Sequence, residues 1–240
     1  MKKDMYILNK GLERLGAPRL NARQIDMFSE YTKILLHYNQ FMNLTRITQI
    51  DEIITEHFLD SLSIVNMSII EDAQKLMDIG TGAGFPGIPL NIYYTDKDIT
   101  LLDSQKKKID FLDIVIDRLE LESIETIHGR AEDIARDKAH RANYDIVVSR
   151  AVAPLPILLE YGIPFLKIGG HFIAYKGPNI DREIEDARNA MKVLGVEIVD
   201  VVEKNILNSE KTHIILVIKK IAETDKKYPR RAGKPKKSPL

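Results

Sequence analysis

Residues 78–90 read DIGTGAGFPGIPL, with glycines at 80, 82, 84 and 87 and prolines at 86 and 89, directly after a short apolar run. Glycine admits the left-handed backbone region and lets the main chain approach a ligand, while proline is accommodated in the first turn of a helix. The stretch is therefore read as a turn between a strand ending near Ile79 and a helix beginning near Gly87. Strand, glycine turn and helix in that order form the ligand crevice of a doubly wound α/β sheet.

The remainder of the chain agrees with that architecture. Strand-like runs fall at 76–79, 99–102, 124–128, 144–149, 171–175, 196–202 and 213–218. Helical spacing places apolar residues at 109, 112, 116 and 119, and again at 184, 187, 191 and 194. Strands separated by helices of this length imply right-handed crossovers and a mostly parallel sheet. No clear helix separates the last two strands, which predicts one antiparallel strand at an edge.

The first seventy residues carry helical patterns only. Met5, Leu8, Leu12 and Leu15 form one stripe, stopped by Gly16 and Pro18. Asn21 and Gln24 form a capping pair ahead of Ile25, Phe28, Tyr31, Leu35, Tyr38 and Met42, and a third helix begins near Asp51 with Ile54, Phe58, Leu62 and Val65. Phe28, Tyr31 and Tyr38 are read as core between helices. The expected division is a helical extension over 1–70, the sheet domain over 71–222 and a tail over 223–240.

Charge and composition narrow the function. The chain has no cysteine, which removes disulfides, cysteine-ligated metals and thiol nucleophiles together. No apolar run approaches the roughly 18 residues a spanning helix needs, and the first residues lack a leader pattern, so a soluble cytoplasmic protein is expected. The 35 basic and 35 acidic residues balance only overall. Seven cations (Lys226, Lys227, Arg230, Arg231, Lys234, Lys236 and Lys237) lie after Asp225 with no acid among them, leaving 28 basic residues against 35 acidic in the body. Such a tail is expected to be extended, solvated and free to reach a polyanion.

The turn matches the G-x-G-x-x-G pattern over 82–87, so a dinucleotide must be weighed. Asp78, two residues before the first glycine, opposes a pyrophosphate by its sign but suits the ammonium group of S-adenosylmethionine. Asp103, at the end of the second strand, suits the ribose hydroxyls of either cofactor. A nicotinamide-dependent dehydrogenase would also need a hydride-transfer partner, and Tyr93 with Lys97 follows the glycine turn too soon to be a Tyr-x-x-x-Lys pair. A third reading, a non-catalytic RNA-binding protein acting through its tail, is opposed by the fully populated cofactor turn.

DIGTGAGFPGIPL together with LLDSQKKKIDFL (101–112), GRAEDIA (129–135), YDIVVSRAVAPL (144–155), HFLDSL (57–62), FMNLT (41–45) and the tail KYPRRAGKPKKSPL resembles the bacterial ribosomal RNA small-subunit methyltransferase G family, also called glucose-inhibited division protein B. The resemblance implies a class I, Rossmann-like methyltransferase fold with an N-terminal helical extension. It also implies methyl transfer from S-adenosylmethionine to N7 of one guanine in small-subunit (16S) ribosomal RNA, free or in an assembling subunit; a monomer is expected. Carried over by residue, it places the cofactor on Gly80, Phe85, Ala131, Glu132 and Arg150, with Asp103 at the ribose. Asp78, Gly82 and Gly84 join that set from the turn itself.

The chemistry of the acceptor is consistent with this. Methylation at pyrimidine C5 needs a cysteine nucleophile, which is absent. The fourth strand ends in Ser149-Arg150-Ala151-Val152, without the proline-aromatic loop of exocyclic-amine methylation. Guanine N7 offers a lone pair and holds no proton, so it needs alignment and charge stabilisation but no general base. Lys176 or Asp145 could still serve as a base for a different acceptor. No catalytic residue is assigned. Arg150 is the candidate positioning residue, able to grip a carboxylate or phosphate through a bidentate fork, or else to form a structural ion pair. His57 and His128 are read as packed or hydrogen-bonded, and no metal site is expected.

Overall fold

The computed structural model describes residues 5–240; residues 1–4 of the expected helical extension, and the side chain of Met5, lie outside the described parts. Helix α1 spans Met5–Arg14 and buries Leu8 and Leu12. Helix α2, Ala22–Met42, starts with the expected capping box: Gln24 N donates to Asn21 Oδ1 (3.0 Å) and Asn21 N donates to Gln24 Oε1 (2.9 Å). Phe28, Tyr31 and Leu35 on its inner face are fully buried, each contributing roughly 1.5–3 kcal/mol by burial. The third helical region is broken. Helix α3, Ile50–Ile53, widens into a π-helical segment at Ile54–Leu59, and a tight turn at Leu62–Ile64 follows, then α4 at Ser68–Glu71.

Seven strands form one sheet in the order β3-β2-β1-β4-β5-β7-β6. Their spans are β1 Lys75–Ile79, β2 Asp98–Asp103, β3 Ile124–His128, β4 Tyr144–Arg150, β5 Leu166–Lys176, β6 Val196–Lys204 and β7 His213–Lys220. The first five are mutually parallel, and β7 runs antiparallel to both β5 and β6. The single antiparallel strand thus sits at that end of the sheet, one place in from the edge. Helix α5 (Gly87–Tyr93) follows β1, α6 (Lys106–Leu119) follows β2, α7 (Ala131–Ile134) follows β3 and α8 (Leu155–Gly162) follows β4. Helices α9 (Ile180–Asp186) and α10 (Arg188–Leu194) divide the helical stripe expected through 184, 187, 191 and 194, with the break at Ala187. Helix α8 has no sequence forecast: it reads LPILLEYG and is buried almost all round, so it shows no amphipathic stripe.

Alternation along the strands feeds two cores. Leu76, Leu101, Ile146 and Ile173 face α2, α5 and α6, while Met77, Val147, Phe172 and Leu216 face α8 and α10. Leu8, Phe28, Tyr31 and Phe58 belong to the first of these cores, so the N-terminal helices complete one face of the sheet. Between β1 and β4 the order of connections reverses direction, which opens a crevice outside the carboxyl ends of the strands.

The expectation of an extended, solvated tail fails over most of its length. Tyr228, Pro229 and Pro235 are buried, and a short helix α11 forms at Lys234–Lys237. Arg230 holds Glu160 of α8 through its backbone N (2.8 Å), Nε (2.8 Å to Oε1) and Nη2 (2.6 Å to Oε2). Glu160 is wholly buried, and a buried carboxylate without a cation is strongly unfavourable, so the body itself requires the tail.

Candidate functional site

The glycine turn is tied down from beneath by Asp78. Its Oδ2 accepts from Thr81 Oγ1 (2.7 Å) and from Gly87 N (2.9 Å), joining the end of β1 to the start of α5. Its Oδ1 is buried without a hydrogen-bond partner. Burial pushes the Asp78 carboxyl up to about 6, against the lowering effect of those two hydrogen bonds. The turn above is left-handed at Gly80 (φ 68°) and Gly82 (φ 61°). A Cβ on Gly82 would meet only Gly80 O, at 3.9 Å, so this glycine presents bare backbone to open space.

A cleft of about 670 Å³ lies over that backbone. Gly80, Gly82, Asp103, Ala131, Glu132 and Val152 are among its lining residues. Its volume falls within the roughly 300–1,000 Å³ range of small-molecule sites. Asp103 accepts from Gly82 N through Oδ2 (3.0 Å) and from Gln105 N through Oδ1 (2.8 Å), which fixes the carboxylate at the cleft wall with lone pairs left for a ligand. Glu132, at the start of α7, is buried and accepts from Gly233 N (2.9 Å). Gly233 and Lys236 of the tail line the same cleft, a contribution no local pattern in the sequence announced.

Four of the expected cofactor residues are placed elsewhere. Asp78 is sealed under the turn. Gly84 faces the helices, where a Cβ would meet Ile88 at 2.6 Å and the Tyr31 hydroxyl at 2.7 Å; it is small because α2 packs there. The Tyr31 hydroxyl donates to Ala83 O and clamps the turn to that helix. Phe85 is buried, with its ring stacked on His57 at a centroid separation of 4.5 Å, so it anchors the turn to the helical extension. Arg150 leaves β4 away from the cleft. Its Nη1 donates to Asp60 Oδ2 (2.8 Å) and Glu56 O (3.0 Å), and its Nη2 lies 3.2 Å from His57 Nδ1. The ion-pair alternative for Arg150 is the one the geometry realises. The π-helical segment delivers Glu56 and His57 to that guanidinium, and Asp60 follows directly after it.

Arg150 instead lines a second cavity, of about 520 Å³, with Asp60, Tyr175, Lys176, Glu183 and His213. Ala151 and Val152 line both cavities, so the two adjoin at the end of β4. Every titratable group lining the second cavity is already partnered. Asp60 Oδ1 lies 2.8 Å from His213 Nδ1, and His213 Nε2 lies 2.8 Å from Ser209 Oγ. Lys176 Nζ is 2.6 Å from Glu183 Oε2, and Tyr175 Oη donates to Ser61 O (2.7 Å). Burial would raise Asp60, yet the hydrogen bond from His213 and the Arg150 charge hold it below the usual carboxylate range. Burial, aided by Arg150, drives His57 down to about 3, so its ring is neutral at physiological pH.

Asp60, Glu183 and His213 were not singled out in the sequence, and only the HFLDSL motif pointed toward the first of them. Asp145, weighed as an alternative base, is near the start of the central strand β4, at the end of the strands away from both cavities, where it accepts from Gln74 N and Lys75 N and pairs with Lys167. His128 rests against Ser104 O at 3.3 Å.

The first cleft suits S-adenosylmethionine. Bare backbone at Gly82 and fixed carboxylates at Asp103 and Glu132 suit a nucleoside carrying a cationic end, and their negative charge opposes a pyrophosphate. Comparison with known proteins points the same way. Residues 24–215 match the GidB family model, described as rRNA small subunit methyltransferase G. The chain is 48% identical over 234 residues to a ribosomal RNA small subunit methyltransferase G of Alkaliphilus oremlandii, covering 98% of each chain. It is also 48% identical over 220 residues to one from Clostridium botulinum, covering 92% of each. Among solved structures, the O-methyltransferase TomG from Streptomyces achromogenes in complex with SAM superimposes with a TM-score of 0.55 at 14% identity, over 82% of this chain and 90% of that one. A SAM-dependent O-methyltransferase from Thermotoga maritima gives 0.52 at 14% identity, over 80% and 72%. At those identities the likeness concerns the fold.

Proposed function

The chain belongs to the rRNA small subunit methyltransferase G family, and from that premise we propose that it methylates N7 of one guanine in small-subunit ribosomal RNA, with the base entering the second cavity. The observation that carries this reading is the absence of a free base among the residues lining that cavity. Asp60, Lys176, Glu183, His213 and Tyr175 are each held by a partner, so the cavity presents a fixed array of paired groups. An acceptor that already has a lone pair and no proton asks only alignment of such a site.

S-adenosylmethionine, when bound, supplies an electrophilic methyl group on a sulfonium. The chain's own residues supply the rest. Gly80 and Gly82 let the cofactor lie against the main chain, and Asp103 orients its ribose. Ala131 and Glu132 wall the far side of the cleft. Asp78 places negative charge beneath the turn, favouring a cationic end group. Arg150, locked by Asp60 and Glu56, positions the shared wall of Ala151 and Val152 between the cofactor and the incoming base, and so acts as a positioning residue.

The test is chemical. Small-subunit RNA treated with this protein and S-adenosylmethionine should become cleavable by borohydride and aniline at one guanine, because only an N7-methylated purine opens under that treatment. Methyl groups recovered on a ribose, a cytosine or an adenine would refute the proposal.

A further inference from the structure

The tail meets the cleft at the residues that close it. Gly233 N donates to Glu132 Oε1 at 2.9 Å, and Gly233 and Lys236 both line the cofactor cleft. This contact is held by anchors in the residues just before it. Arg230 grips Glu160, Arg136 Nη2 donates to Pro229 O (2.6 Å), and Arg141 donates to Tyr228 O (2.8 Å) and Thr224 O (2.9 Å). Arg230 is therefore turned inward. The other six cations after Asp225 are exposed, and Lys227 has Asp225 as an ion-pair partner. One short segment thus has an inner side that touches the cofactor cleft and an outer side that is a cationic surface beside its mouth.

We infer that Tyr228–Lys236 is a wall of the cofactor cleft, that Gly233 acts as a positioning residue through Glu132, and that RNA phosphates gathered on the outer cations tighten cofactor binding through this wall. The inference rests on the reading of the cleft as the S-adenosylmethionine site. Its physical basis is linkage. Phosphates on Lys226, Arg231, Lys234 or Lys237 would bear on the outer side of the segment whose inner side holds Glu132 in place, so RNA and cofactor act on one element. The coupling must then be reciprocal, with the cofactor raising RNA affinity by the same factor.

Calorimetry with S-adenosylhomocysteine, which permits no turnover, tests the wall with and without unmethylated small-subunit RNA. In the unaltered chain RNA should tighten its binding by about fivefold or more, the lower end of ordinary coupling. Gly233→Pro removes the N–H donor and cannot adopt the φ of +80°. It should weaken binding about tenfold without RNA, the scale of one hydrogen bond to a charged group. Gly233→Ala keeps the N–H and adds a Cβ with nothing within 4 Å, so it should bind more tightly than the proline variant. The triple change Lys226→Glu, Lys227→Glu and Lys237→Glu, all outside the wall segment, should leave RNA-free affinity intact and abolish the tightening. Hydrogen exchange on the unaltered chain gives a readout independent of any variant's folding: amides 230–236 should slow when S-adenosylhomocysteine binds. Unchanged exchange there, full affinity in Gly233→Pro, or intact tightening in the triple variant would overturn the inference. Failure of the unaltered chain to bind S-adenosylhomocysteine would instead sink the underlying reading of the cleft.

Discussion

Two cavities adjoin at the end of β4, and their polar groups are in opposite states. In the cofactor cleft the main chain is laid open at Gly82, and Asp103 is steadied by two backbone N–H groups while keeping acceptor capacity. In the second cavity Asp60, Arg150, His213, Lys176 and Glu183 satisfy one another. The first is built to complete its hydrogen bonds with a ligand. The second keeps its shape and charge through its own ion pairs and hydrogen bonds. A methyl acceptor with no proton to lose asks for that division of labour, since alignment then matters more than proton transfer.

The sharpest way to break the contrast is to remove the centre of the paired network. Asp60→Ala leaves Arg150 and His213 facing each other without their shared carboxylate. Unpairing buried charges costs about 3–5 kcal/mol, so urea unfolding should show a loss of that size with cofactor affinity largely retained. A loss below about 1 kcal/mol would mean the network is a surface arrangement of little consequence.

The complementary change in the cleft should reverse the pattern. Asp103→Ala should weaken S-adenosylmethionine binding by about 1.5–3 kcal/mol in calorimetry, the worth of hydrogen bonds to a charged group. Its effect on unfolding should be smaller than that of Asp60→Ala, because Gly82 N and Gln105 N then face a wet cleft instead of a dry interior. Equal binding by the variant would remove Asp103 from the cofactor's ribose.

The smallest expected effect is a pH dependence that separates the two cavities. Asp78, raised to about 6 by burial, changes charge in the range where His57, depressed to about 3, does not. The ionised carboxyl favours the cationic end of the cofactor and the protonated one does not. Affinity should therefore rise with pH through about 6 and fall below it by at most about tenfold per pH unit. The dependence should disappear in Asp78→Asn. A flat profile in the unaltered protein would show that the orphaned Asp78 oxygen has no bearing on the ligand.

The two ends of the chain show how far local pattern reaches. The capping box at Asn21 and Gln24, helix α6 and the seven strands were legible because each depends on spacing within a few residues. The widening of α3 at Ile54–Leu59 was not, because its apolar stripe reads the same in a regular helix. The tail was misread for a related reason. Its composition describes a solvated arm, and Glu160, the group that draws it in, lies 70 positions earlier in a helix too uniformly apolar to be recognised.

Sequence alone determined the sheet, the glycine turn and Asp103, because strand alternation, left-handed glycines and a carboxylate at a strand end are properties of short segments. Tertiary structure decided which of the candidate residues share a cavity. Phe85 could shelter a ligand or anchor a helix, and it anchors because α2 and the π-helical segment bring Tyr31 and His57 against it. Arg150 could grip a ligand or a protein acid, and Asp60 reaches it first. Glu132 and Gly233 stand 101 positions apart and meet because Arg230 must neutralise Glu160. In each case the deciding term is the cost of leaving a buried charge or a packing gap unmatched, and that cost exists only once distant segments have come together.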